Sequence, residues 1–102
     1  MPKTLHLGSA RYDLDRGELF RGQDPVRLTA TETTLMRVLA ATPHQAVSRA
    51  TLVDRLGRDG EASGERAVDV QITRLRRKLE QDPKQPRYLQ TVRGEGYMLA
   101  PD

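Results

Sequence analysis

Residues 65–79 constrain the fold of this chain more than any other stretch, because they have the period of an amphipathic α-helix. Their apolar members recur at helical spacing as Val68, Ile72, Leu75 and Leu79, which places them on one narrow stripe. The opposite side carries Arg66, Val70, Thr73, Arg74 and Arg77. Packing against a core explains the first face, but not a second face with three arginines around a valine. The major groove of B-DNA accepts one helix, so the pattern predicts a DNA-recognition helix.

Charge distribution agrees with a polyanionic partner. The chain has 102 residues, which predicts one small domain over residues 1–102, and its formal net charge of +3 identifies no partner by itself. Four of the five residues from 74 to 78 are basic, whereas acidic residues concentrate earlier, at Asp13, Asp15, Glu18, Asp24 and Glu32. Such asymmetry is typical of nucleic-acid binding. A basic helix face that is merely solvated would look the same, so that alternative stays open.

Other classes of function leave no trace in the sequence. There is no cysteine, and the two histidines, His6 and His44, share no metal-ligand spacing. No nucleophile–base pattern or phosphate-cradling glycine loop is present, because Gly94-Glu95-Gly96 lacks the strand–turn–helix setting that such a loop needs. No apolar run could span a membrane or serve as a signal peptide. We therefore expect a cytoplasmic binding protein with no cofactor, metal or enzymatic activity.

Residues 4–28 predict a four-stranded antiparallel sheet. Short strand-like runs alternate with turn residues, at Leu5–Leu7, Arg11–Leu14, Glu18–Arg21 and Val26–Leu28. Gly22-Gln23-Asp24-Pro25 is predicted as the last turn. The single phenylalanine, Phe20, is expected to pack inward.

Three helices are predicted after the sheet, over residues 30–42, 49–57 and 65–80. Thr29 and Glu32 form a capping box for the first helix, and Pro43 ends it. Ser48 caps the second helix. Two short helices followed by a long basic one is the order of a helix-turn-helix.

The C-terminal residues 88–100 predict a β-hairpin. Tyr88–Val92 and Tyr97–Ala100 have strand composition, and Gly94 and Gly96 permit the tight reversal between them. A hairpin directly after a recognition helix is a wing, with Arg93 at its tip beside the minor groove. The whole order predicts an α+β winged helix-turn-helix with an N-terminal four-stranded antiparallel sheet, three helices and a hairpin wing.

Two motifs carry a family resemblance. E-R-A-V-D-V-Q-I-T-R-L-R-R-K-L-E-Q-D-P followed by P-R-Y-L-Q-T-V-R-G-E-G-Y resembles the C-terminal effector domain of OmpR/PhoB-type bacterial response regulators. L-T-A-T-E at 28–32 and A-V-S-R-A-T-L at 46–52 are also similar to that family. Gln81-Asp82-Pro83 and Pro86-Arg87-Tyr88 make the OmpR branch the nearest. The resemblance implies sequence-specific binding of double-stranded DNA at tandem direct repeats, for transcription control.

The resemblance also implies the roles of individual residues. Val70 and Arg74 would contact base edges, with Arg66, Thr73 and Arg77 beside them or on phosphates. Arg49 would hold a phosphate, Thr91 and Tyr97 would hold the DNA backbone, and Arg93 would reach the minor groove. Leu56-Gly57 replaces an aromatic residue frequent in the family, which puts one further phosphate contact in doubt.

The residue types themselves agree with several of these roles. Val70 could meet a thymine methyl group, and Arg74 could donate two bonds to a guanine, since no acid lies one helical turn from it. Arg76, in contrast, has Glu80 four residues on and Asp69 nearby, so we interpret it as a mainly structural residue that holds the helix through ion pairs, with phosphate contact as the alternative.

Partners follow from the same resemblance. The family's phospho-accepting receiver domain is missing from this chain, and the sheet at 4–28 would be its seat. The loop at 57–64 is predicted to touch RNA polymerase, and the chain alone is predicted to be a monomer that forms a head-to-tail dimer on DNA. The alternative is a winged-helix protein–protein interaction module without DNA binding, which predicts more apolar residues on the exposed helix face.

Overall fold

The computed structural model of the protein describes residues 3–56 and 64–102. It begins with a four-stranded antiparallel sheet in which each strand pairs with the next along the chain. The strands are β1 (Thr4–Leu7), β2 (Ala10–Asp13), β3 (Glu18–Arg21) and β4 (Asp24–Val26). The predicted sheet is therefore confirmed.

Two details of the sheet differ from the sequence prediction. Strand β4 begins at Asp24 and contains Pro25, which the sequence placed in a turn. Because β4 is an edge strand, the proline ring occupies a position where no ladder hydrogen bond is lost. Phe20 was expected to pack inward, but Leu19 occupies the buried face, and Phe20 lies on the outer face with the Arg11 guanidinium 4.4 Å from its ring centroid.

Three helices follow: α1 (Ala30–Ala41), α2 (Arg49–Leu56) and α3 (Glu65–Leu79). The capping box of α1 forms as predicted, with Thr29 and Glu32 bonded reciprocally. The Ser48 hydroxyl accepts the Thr51 N–H and so caps α2. Helix α3 ends one residue earlier than predicted, at Leu79, and the predicted end of α2 at Gly57 lies outside the described residues.

One apolar core joins the sheet to the helices. The predicted stripe of α3 is fully buried, as Val68, Ile72, Leu75 and Leu79. It packs with Leu35, Met36 and Leu39 of α1, Leu52 and Leu56 of α2, and Leu7, Tyr12 and Leu19 of the sheet. Aliphatic side chains thus supply most of the burial that holds α3 in place.

The chain ends in a hairpin of β5 (Leu89–Val92) and β6 (Gly96–Leu99). Val47, in the linker between α1 and α2, forms a β-bridge with Tyr97 through N–H···O bonds of 2.7 and 3.0 Å. Gly96 makes this contact possible, because a Cβ there would lie 1.9 Å from the Val47 carbonyl oxygen. The architecture is the predicted α+β winged helix-turn-helix. Within residues 3–56 and 64–102, no helix is long and apolar enough to cross a membrane.

Candidate nucleic-acid interface

The outer face of α3 presents all five residues predicted for it. Arg66, Val70, Thr73, Arg74 and Arg77 are exposed. Val70 is 43% exposed and is the one large hydrophobic side chain exposed in the part of the chain that the structure describes. An apolar docking face would need more than this single residue, so the structure gives the protein-interaction alternative no support.

The three arginines of this face are available for anions. Among residues 3–56 and 64–102, no acidic group lies within 4 Å of Arg66, Arg74 or Arg77. Thr73 differs, because its hydroxyl donates to the Asp69 carbonyl oxygen one turn earlier, at 3.0 Å. That bond uses the hydroxyl proton, so the remaining capacity of Thr73 is to accept a hydrogen bond.

Asp69, which the sequence reading did not assign to the site, joins α2, α3 and the wing. The Arg49 guanidinium donates to both carboxylate oxygens through Nε, at 3.1 Å, and Nη2. The Tyr97 hydroxyl donates to Oδ1 of the same carboxylate at 2.5 Å. Glu65 lies 3.8 Å from the other end of the Arg49 guanidinium. The structure therefore brings together the predicted residues Arg49 and Tyr97 around a carboxylate.

The protonation of this cluster follows from its contacts. Burial acts to raise the pKa of Asp69, but the bonds from Tyr97 and Arg49 outweigh it and the pKa is lowered. Burial and the bond to Asp69 raise the pKa of Tyr97 to about 12. The carboxylate is consequently ionised and the phenol protonated at neutral pH.

Arg76 has a structural role, but not with the predicted partners. No ion pair joins it to Glu80 or Asp69 among the described residues. Instead its Nε donates to the Leu89 carbonyl oxygen and its Nη2 to the Thr91 hydroxyl, both at 2.9 Å. Burial lowers the pKa of Arg76, although the side chain remains a cation at any physiological pH.

Glu80 turns away from Arg76 because it has other donors. Its buried carboxylate accepts the backbone N–H groups of Arg87 at 2.8 Å, Tyr88 at 3.1 Å and Leu89 at 2.7 Å. It thereby fixes the start of the wing against the end of α3. The signal in the sequence was an acid placed just before a Pro-containing reversal, between Leu79 and Pro83.

Groups from α2 and the wing meet at an open cleft of roughly 540 Å³. Its lining includes Ser48 and Arg49 at the start of α2, and Thr91, Arg93 and Tyr97 of the wing. Arg93 is exposed beside Gly94, whose φ of 79° makes the turn. Glu65 and Glu95 also line the cleft, so its charge is mixed.

The buried stripe and basic outer face of α3, together with the bonded wing, define the class of protein as a winged-helix DNA-binding domain. Comparison with known proteins then gives the family. The model of the family described as "Transcriptional regulatory protein, C terminal" matches residues 22–99, and the chain belongs to this family. It is a DNA-binding transcription-regulatory chain of the response-regulator type.

Individual relatives agree with this assignment. Protein PetR of Rhodobacter capsulatus is 65% identical over 106 residues, covering 99% of this chain and 45% of that protein. The probable transcriptional regulator ycf27 of Porphyridium aerugineum is 36% identical over 97 residues, covering 93% and 40%. The chain thus spans less than half the length of these relatives.

Two solved structures show the same fold. The response regulator DrrB of Thermotoga maritima, an OmpR/PhoB homolog, superposes with a TM-score of 0.82 at 28% identity, covering 96% of this chain and 44% of that one. The RstA DNA-binding domain of Klebsiella pneumoniae, in complex with the RstA box, superposes with a TM-score of 0.76 at 32% identity, covering 97% and 98%.

Proposed function

We propose that the chain binds double-stranded DNA sequence-specifically, with α3 in the major groove. The observation that carries this proposal is the exposed face of α3, where three arginines without acidic partners among the described residues surround an exposed valine. Val70 and Arg74, one helical turn apart, would contact base edges. Arg66 and Arg77 would flank them on bases or phosphates. The structure of RstA with its box supports the same use of a similar domain.

Thr73 is proposed as a base contact rather than a phosphate contact. Its proton is held by the Asp69 carbonyl, and a phosphate diester offers acceptors only. The free lone pairs of the hydroxyl could accept from the amino group of cytosine or adenine, and its methyl group could meet a thymine.

The remaining predicted residues would contact the backbone and the minor groove. Arg49 and Thr91 line the cleft between α2 and the wing, where a phosphate would fit between them. Arg93 would enter the minor groove from the wing tip. Tyr97 could reach a phosphate only by exchanging Asp69 for it, so most of its contribution would come from fixing the wing.

The proposal extends to the protein as a whole. The chain would be the output part of a two-component response regulator in the cytoplasm, a binding module and not an enzyme, working with a receiver domain seated near the sheet. We further propose head-to-tail binding of two copies on tandem direct repeats. The predicted contact of loop 57–64 with RNA polymerase lies outside the described residues, apart from Gly64.

A titration of fluorescent duplexes tests the DNA proposal. Wild type should bind a random-sequence pool at about 50 mM salt and lose affinity steeply by about 200 mM, because phosphate contacts release counterions. Sequencing the bound fraction should give a consensus site. Arg74→Ala is titrated beside wild type, and its matched control is Arg16→Ala, which removes the same charge from an exposed turn of the sheet. An absence of binding by wild type at low salt would contradict the proposal.

A further inference from the structure

The directions of the hydrogen bonds distinguish the three hydroxyl groups predicted to contact DNA. A hydroxyl carries one proton, and a phosphate oxygen needs that proton because it can only accept. Thr73 donates its proton to the Asp69 carbonyl oxygen, and Tyr97 donates its proton to the Asp69 carboxylate. Neither of these two hydroxyl protons is therefore available for a phosphate oxygen.

Thr91 has the opposite arrangement. Its hydroxyl oxygen accepts from Nη2 of Arg76, and a guanidinium has no lone pair with which to accept in return. The Thr91 proton must consequently go elsewhere. Thr91 is exposed on the wing and lines the cleft next to Arg93, so an outward proton faces the space proposed for a phosphate.

Arg76 is itself held in a single position. Leu89 and Thr91 lie two residues apart on β5, where the first offers its backbone carbonyl and the second its side-chain hydroxyl to Arg76. The planar guanidinium bridges them, with Nε on the Leu89 carbonyl and Nη2 on the Thr91 hydroxyl. Its central carbon also lies 5.7 Å from the Tyr97 ring centroid. A lysine could supply the charge but not this two-pronged geometry.

We propose that Arg76 is a positioning residue that orients the Thr91 hydroxyl as a proton donor to a DNA phosphate. The positive charge behind the hydroxyl oxygen also strengthens the bond that its proton donates, since linked hydrogen bonds polarise one another. This inference rests on the proposed DNA binding. Arg76 would thus affect DNA binding indirectly, through the Thr91 hydroxyl of the wing.

A double-mutant cycle tests the inference on nonspecific duplex DNA at low salt. Thr91→Val should weaken binding about three- to tenfold, as expected for one hydrogen bond. Arg76→Lys should cause a similar loss despite keeping the charge. The double variant should be no weaker than Thr91→Val, because both changes remove the same bond. Thr91→Ser keeps the hydroxyl and should bind DNA as tightly as wild type. In the Arg76→Lys background it should not recover that affinity.

Arg77→Lys provides the matched comparison, since Arg77 is exposed on the same helix and contacts no acid among the described residues. In the double variant with Thr91→Val, the two fold-losses of DNA affinity should multiply, because the two residues act independently. The inference would be overturned if the affinity losses of Arg76→Lys and Thr91→Val also multiplied in the double variant. It would likewise be overturned if Arg76→Lys bound DNA as tightly as wild type. If wild type itself failed to bind, the DNA proposal would fall and this inference with it.

A measurement on wild type covers the case in which Arg76→Lys does not fold. The Nε–H resonance of Arg76 is followed by NMR as duplex is added. A positioning role predicts that it keeps the shift of a proton bonded to Leu89, while the Arg74 resonance moves. A movement of Arg76 as large as that of Arg74 would indicate direct phosphate contact and overturn the inference.

Discussion

Replacing Glu80 by alanine should be among the most destabilising single changes in this chain. The Glu80 carboxylate is buried and accepts three consecutive backbone N–H groups at the start of the wing. Among residues 3–56 and 64–102, the N–H groups of Tyr88 and Leu89 have Glu80 as their acceptor, and these bonds are buried. Alanine would leave both unpaired, and unpaired buried donors carry their full desolvation penalty.

The magnitude follows from those two bonds. A hydrogen bond to a charged group contributes about 1.5–3 kcal/mol, so the two buried bonds give about 3–6 kcal/mol. The Arg87 N–H is more accessible to water and is left out of this sum. Glu80→Gln keeps one acceptor oxygen, so we expect about half of the loss. Native stabilities are usually about 5–15 kcal/mol, so the alanine variant should unfold if the wild-type stability lies at the low end of that range and otherwise stay folded with a much reduced stability.

Urea unfolding followed by far-UV circular dichroism measures the effect, since the chain has no tryptophan for fluorescence. The control is Glu95→Ala at the exposed wing tip, which should change the unfolding free energy by less than about 0.5 kcal/mol. A loss for Glu80→Ala no larger than that of Glu95→Ala would refute the assignment of Glu80 as the acceptor for the wing.

Three further changes test other parts of the structure. Gly96→Ala should lower the unfolding free energy by about 3 kcal/mol or more in the same assay, because its Cβ would meet the Val47 carbonyl oxygen at 1.9 Å. His44→Gly should instead raise the melting temperature, since His44 has φ 64° and relief of about 1–2 kcal/mol of left-handed strain outweighs the roughly 0.5–1 kcal/mol of backbone entropy that glycine loses. Burial acts to raise the pKa of Glu32, but bonds from Lys78 and Thr29 lower it overall. The contribution of Glu32 to the unfolding free energy should therefore be full above about pH 4.3, and it should be lost as pH falls through the lowered pKa. Urea unfolding between about pH 6 and pH 3 should therefore show a shallower acid decline for Glu32→Gln than for wild type, and equal slopes would contradict this.

Local signals in the sequence predicted most of the fold. The stripe from Val68 to Leu79 identified α3 because helical periodicity repeats within one element, and the Thr29–Glu32 capping box located the start of α1 for the same reason. The exposed arginines followed directly from the buried stripe. The predicted start of β4 was wrong because Pro25 was placed in a turn. The sequence does not reveal which strand lies at an edge, where a proline is tolerated.

The contacts that organise the proposed site could not be predicted in this way. The partners of Arg76 lie on the wing, 13 and 15 residues away, and those of Asp69 lie on α2 and β6, 20 and 28 residues away. Helical spacing offered Glu80 as a nearer partner for Arg76. The choice between them depends on how the wing docks on α3, which the Val47–Tyr97 bridge and Glu80 determine together.

The central claim is that the outer face of α3 reads base edges, and one ratio tests it most directly. For wild type and Arg74→Ala, affinity for the selected duplex is divided by affinity for a scrambled duplex of equal length at one salt concentration. We predict that this ratio falls by an amount equivalent to about 1–3 kcal/mol in Arg74→Ala, while affinity for the scrambled duplex changes much less. An unchanged ratio, with both affinities reduced equally, would mean that Arg74 contacts only the backbone and that α3 does not read the sequence as proposed.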